Sequence, residues 1–123
     1  MLQWMGSGRR AVDSEYLVVL VAVSDVDTGV QLGRRLVEER LAACVQVMPS
    51  GTAIYRWQGE LYTEPQVQLL IKTRKSVWQS LCARLVELHP DKVPEILALP
   101  VVDGLAEYLS WLGESTGEPG AVG

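Results

Sequence analysis

One histidine and two cysteines are the side chains of this 123-residue sequence best suited to holding a soft or borderline metal ion. His89 offers an imidazole, a good copper and zinc ligand that titrates near neutral pH. It also stands at the predicted end of a helix, just before Pro90, where an imidazole can instead hydrogen-bond the last helical carbonyls. A metal at His89 needs further ligands, from Glu95, Asp91, Asp103 or a neighbouring copy of the chain. Cys44 is polarizable and can ligate copper, or simply fill space at the start of a strand. The metal candidates are therefore His89, Glu95 and Cys44. Cys82 falls on the apolar side of a predicted helix and receives no role.

A second group could hold a small organic ligand. Trp57 and Lys72 are expected on adjacent antiparallel strands, where an indole beside a lysine with a buried stem can line a small anionic pocket. Tyr108 is expected to join them at a subunit interface; the alternative is plain packing of a hairpin between copies. Glu64 and Glu95 lie near prolines and fit structural hydrogen bonding better than acid–base work. Arg74-Lys75 and Lys92 could meet a phosphate, but no glycine-rich loop precedes a helix to cradle one. A single histidine leaves no arguable Ser-His-Asp or Cys-His pairing, so no catalytic residue is assigned and the chain is read as a non-enzyme.

Composition narrows the classes further. The length is that of one domain, and 48% apolar residues suffice for one core. A net charge of −4 and a pI near 4.9, with scattered basic residues, argue against a nucleic-acid surface. No apolar run approaches the ~20 residues of a membrane span. The first residues lack the ~7–15-residue apolar core of a signal peptide, so a cytoplasmic location is expected. The two cysteines have no CxxC spacing and read there as buried free thiols.

These side chains need elements to position them. Residues 1–13 read as a flexible tail, 14–113 as one domain and 114–123 as a second flexible tail. Leu17 to Val23 is apolar on both faces and predicts a central strand. Ser24-Asp25 supplies a helix N-cap, and Val26, Val30, Gly33, Val37 and Leu41, widened by Leu36, mark the expected buried face, opposite Arg34, Arg35, Glu38 and Glu39. A strand from Ala43 to about Gln58 is interrupted at Met48-Pro49-Ser50-Gly51. After the Gln58-Gly59 turn, Leu61 to Thr73 returns as a strand with Val67, Leu69 and Ile71 on one face. Ser76 and Gln79 predict a capping box for a second helix, with Val77, Leu81, Leu85 and Leu88 buried and Pro90 as the stop. Ile96 to Val102 is the last strand, and Gly104 to Leu112 a final short helix.

The order β-α-β-β-α-β with an added helix predicts an α+β, ferredoxin-like fold with a long hairpin between its second and third strands. Two helices cover one sheet face only. Strands apolar on both sides then leave an exposed face that another copy of the chain would cover, so a homo-oligomer is expected.

The body also resembles one family. Ser24-Asp25, Glu39 to Cys44 (ERLAAC), Ile54 to Glu60 (IYRWQGE) and Ile71-Lys72-Thr73 follow its pattern. So do His89-Pro90, Pro94-Glu95-Ile96, Leu99-Pro100-Val101 and Tyr108 to Leu112 (YLSWL). From about Leu17 to Leu112 the chain resembles the CutA proteins of divalent-cation tolerance. The resemblance implies a tightly packed cytoplasmic homotrimer, copper binding, no catalytic activity and a shape similar to the PII signalling proteins. It also implies a copper pattern with a first-strand cysteine, which is Val21 here, and two histidines before the proline, which are Leu88-His89 here.

The leading expectation is thus a trimeric divalent-cation tolerance protein that binds copper or another divalent metal, or serves tolerance indirectly. The runner-up is a PII-like regulatory module taking a small anionic ligand in clefts between subunits. An acylphosphatase-type enzyme would need an arginine-bearing phosphate loop after the first strand, where Ser24-Asp25-Val26-Asp27 is acidic. An RNA-recognition domain would need stacking aromatics on its middle strands, and Tyr55, Trp57 and Tyr62 crowd the hairpin tip instead.

Overall fold

Fifteen consecutive residues form one strand at the centre of the molecule, and everything else is arranged along it. The computed structural model is described over residues 14–118. The expected N-terminal tail and the last five residues of the expected C-terminal one lie outside the described residues. The elements are β1 (Tyr16–Val23), α1 (Val26–Glu38), β2 (Cys44–Val47), β3 (Gly51–Trp57), β4 (Glu60–Arg74), α2 (Trp78–Leu88), β5 (Ile96–Pro100) and α3 (Ala106–Glu114). All strand pairs are antiparallel. The sheet runs β2-β4-β1-β5, and β3 pairs with the first half of β4.

Alternation decides which face is the core. Leu17, Val19, Val21 and Val23 of β1 point to the same side as Val67, Leu69 and Ile71 of β4. They close on Leu32 and Leu36 of α1 and Leu81 and Leu85 of α2 in one buried cluster. The register places Val18, Leu20, Leu70, Leu97 and Leu99 together on the opposite side. There Val18, Leu20 and Leu70 are only half-buried, while Leu97 is 55% and Leu99 46% exposed.

Helix α1 starts as its sequence predicts, with the Asp25 carboxylate accepting from the Thr28 N–H at 2.8 Å. Its buried face agrees with the expected one at Gly33 and Leu36 and departs from it elsewhere. Gly29, Leu32, Gly33 and Leu36 face the sheet, and Val26, Val30 and Val37 are exposed. The two glycines are the cause. A Cβ on Gly29 would stand 2.9 Å from Leu69 Cδ2, and one on Gly33 3.0 Å from Val45 Cγ1, so only glycine lets the helix lie this close. The helix ends with Arg40 at φ 60°, where the Leu41 N–H bonds the Leu36 carbonyl at 2.9 Å and the Arg40 N–H bonds Val37 at 3.0 Å. This is a Schellman ending with arginine in the usual glycine place.

Three further expectations are corrected. Ser76 does not cap α2: the chain leaves β4 extended at Arg74 and enters a 3-10 turn, Lys75–Val77, which contains Ser76, and no side chain caps the helix. The last strand ends at Pro100, and α3 is displaced two residues along from the expected helix, ending at Glu114. Residues 115–117 are packed, unlike a flexible tail. Arg40 donates from Nε to the Gly117 carbonyl at 2.7 Å and from Nη2 to that of Glu114, and its own carbonyl accepts from Gly117 N–H at 2.8 Å. Buried Arg74 donates to both Thr116 Oγ1 and Thr116 O at 2.9 Å, and Thr116 is fully buried. Two guanidinium groups therefore sit at the carbonyl end of α3, where a helix favours positive charge.

Candidate functional site

The turn that reverses β3 into β4 has two residues, Gln58 (φ 50°) and Gly59 (φ 84°), so Trp57 stands opposite Glu60. That register fixes every pair down the arm. Tyr55 lies opposite Tyr62, and their rings stack with centroids 5.4 Å apart at 18°. The Tyr55 hydroxyl donates to Glu64 Oε1 at 2.6 Å. This bond is the largest cause of a Tyr55 pKa pushed up to about 12, because the carboxylate stabilises the protonated phenol.

Between this arm and the loop after α2 opens a cleft of ≈ 870 Å³, with Ala22 at its floor. Tyr55, Trp57 and Glu64 line one wall, and Asp91, Lys92 and Glu95 the other. The size matches small-ligand sites, which run ~300–1,000 Å³. Three carboxylates against one ammonium give it a cation-attracting character. Glu95 is held in place, accepting from Gln68 Nε2 at 2.9 Å. A smaller groove of ≈ 440 Å³ between α1 and β2, walled by Val30, Val37, Val45 and Val47, offers little chemistry.

His89 lies under the loop wall and is 6% exposed. Its Nε2 bonds the Ala22 carbonyl at 2.6 Å, and its Nδ1 accepts the Asp91 N–H at 3.0 Å. The ring is therefore the neutral tautomer with its proton on Nε2. Cys44 is remote from it. The register sets Cys44 opposite Lys72, and Gln68, the partner of Ala22, is four residues further along β4, about 13 Å at ~3.3 Å per residue. Among the described residues, no group of three or more His, Cys, Asp or Glu side chains is placed to hold a metal ion. The expected set His89, Glu95 and Cys44 is thus not assembled within one chain, and these residues do not fit a resident copper. Val21 is fully buried in the core and Leu88 packs against it. Both cysteines are unpaired and half-buried.

The expected trio Trp57, Lys72 and Tyr108 is also not brought together in one chain. Trp57 is at the arm's tip, opposite Glu60, and Lys72 is twelve residues further along β4, about 40 Å away. The strand next to Lys72 is β2, not β3, because the break at 48–50 separates the two. Lys72 Nζ donates to Gln46 Oε1 at 2.8 Å, and Tyr108 meets Trp111 in α3 with ring centroids 5.4 Å apart at a 42° tilt. The Tyr55–Glu64 pair is the feature sequence reasoning passed over. Its signal was present, since a two-residue turn at Gln58-Gly59 makes Tyr55 and Glu64 diagonal neighbours.

No described helix is long and apolar enough to cross a membrane. In sequence, residues 17–115 match the family described as "CutA1 divalent ion tolerance protein". The chain is 48% identical over 100 residues to a divalent-cation tolerance protein CutA of Thermus thermophilus, covering 81% of this chain and 97% of that one. A Citrobacter koseri relative of the same name is 42% identical over 101 residues, covering 82% and 88%. Among solved structures, a divalent cation tolerance protein of Thermus thermophilus superposes with a TM-score of 0.81 at 47% identity, covering 83% of this chain and 99% of that one. CutA1 of Oryza sativa superposes at 0.82 and 37% identity, covering 85% and 96%.

Proposed function

This chain belongs to the CutA1 family of divalent ion tolerance proteins, and from that premise we propose that it serves cellular divalent-cation tolerance as a non-catalytic, cytoplasmic homotrimer with a ferredoxin-like fold. The observation that carries the reading is the amount of apolar surface left open. Leu97 and Leu99 on the sheet, Ile54, Trp57 and Leu61 on the arm, and Leu105, Tyr108 and Trp111 around α3 are all more than 40% exposed. At ~25 cal/mol per Å² such patches are costly to leave in water, and a second and third copy supply matching surface. The strand order, with α1 and α2 closing on one face, supports the ferredoxin-like assignment.

The cleft supports a cationic partner, because Glu64, Asp91 and Glu95 outnumber Lys92. The same excess repels the small anions of a PII-like module, so that alternative is not favoured. A pocket of Trp57, Lys72 and Tyr108 belongs to this reading only as a composite of neighbouring copies. Two measurements test the proposal. Light scattering should give three times the 13.6 kDa chain mass, and a monomer would refute the assembly. Cells lacking the protein should grow worse on elevated copper, zinc or cobalt and recover on complementation; unchanged growth on all three would refute the tolerance role.

A further inference from the structure

We propose that His89 is a latch that fastens the cleft loop to the sheet and is not a metal ligand, so that any copper this protein takes up is bound without imidazole. Ligation needs a free lone pair on an imidazole nitrogen. A metal-bound histidine ordinarily gives its other N–H to a carbonyl, and the Nε2–H of His89 on Ala22 O fits that part of the pattern. The remaining nitrogen decides the matter. Nδ1 already accepts the main-chain N–H of Asp91, so a metal there would have to evict a backbone donor beside a ring that is 6% exposed. Ligation through Nε2 would require moving its proton and stripping the Ala22 carbonyl of its donor at 2.6 Å. Neither route has waiting co-ligands among the described residues.

The same two bonds give the ring its positive role. Pro90 keeps His89 extended, at ψ 134°, which ends α2 and starts the loop. The ring then ties the end of β1, at Ala22, to the second residue of that loop, at Asp91. Asp91 and Glu95 on that loop form the wall facing Trp57 and Glu64. These bonds lie within one chain, so the inference holds whatever the assembly.

The test uses the untagged full chain, whose only histidine is His89. Cu(II) is added and electron spin-echo modulation is recorded. The expected spectrum lacks imidazole nitrogen modulation, or shows no protein-bound copper at all; imidazole modulation would overturn the proposal. His89→Gln keeps a donor and an acceptor on one side chain and should leave the copper isotherm within about twofold of wild type. A tenfold or greater weakening in a folded His89→Gln protein would overturn it equally. For the latch, His89→Ala should speed exchange of the Asp91 amide by roughly tenfold or more, and His89→Gln should restore most of the protection. Unchanged exchange in His89→Ala would remove the latch. If His89→Gln fails to fold, the wild-type spectrum still decides the ligand question.

Discussion

Arg40 shows how much one residue can be asked to do. Its φ of 60° costs about 1 kcal/mol relative to glycine, yet its guanidinium grips the carbonyl of Glu114, at the end of α3, and that of Gly117 beyond it. Replacing it separates the two effects. Arg40→Ala keeps the strained backbone and loses the grip, and should destabilise by about 2 kcal/mol. Arg40→Gly loses the same grip but relieves the strain, so its urea midpoint should fall between alanine and wild type; a glycine variant less stable than alanine would contradict this account. Thr116→Val should cost about 2–3 kcal/mol by denaturant unfolding, because it leaves buried Arg74 Nε without its acceptor. Tyr55 gives a pH signature. Its pKa is raised from 10 to about 12, so the stabilisation by Glu64 is complete below pH 10 and lost as pH climbs toward 12. Ultraviolet titration should show one late tyrosine, and Glu64→Ala should return it toward 10.

At the scale of elements, what was legible followed from patterns with one dominant physical cause. A continuous β-branched apolar run gave β1, alternation gave β4, proline placed the end of α2, and Gln58-Gly59 gave the turn. The face of α1 was legible at Gly33 and Leu36 but drawn too far toward the valines, because periodicity counts side chains that need burying and gives no weight to those that must be absent, as at Gly29. Gly29 and Gly33 face the sheet for want of a Cβ, and the valines beside them are left outside. Gly33→Val should therefore be destabilising by about 1–3 kcal/mol in thermal or urea unfolding, despite valine's better helix propensity, since the new Cβ meets Val45 Cβ at 3.2 Å. The packed residues 115–117 were illegible for a different reason. Their order comes from Arg40 and Arg74, far away in sequence, and local composition there reads only as turn. The candidate site was legible in its parts and not in its grouping. Glu95 and Trp57 do line one cleft, but His89 lies beneath its loop wall with both ring nitrogens spent on backbone groups, and the break at 48–50 takes Lys72 away from Trp57.

At the scale of the whole molecule, the exposed sheet face makes one demand on the assembly. If the proposed trimer forms through this face, Leu97→Asp together with Leu99→Asp should convert it to smaller species by analytical ultracentrifugation while leaving the buried cluster intact, and a variant that remains trimeric would place the interface elsewhere. The central strand has a consequence in time as well as in space. The second half of β4 pairs with β1 from Val67 to Arg74 and with β2 from Leu69 to Lys72, whereas its first half has only β3 beside it, and a two-stranded ribbon alone is marginal in water. The two halves of one strand should then form at different moments of refolding. The inner half appears in a first-order step indifferent to protein concentration. In the proposed trimer the outer half should become lasting only after collision with another chain, in a second-order step that quickens as the solution is made more concentrated.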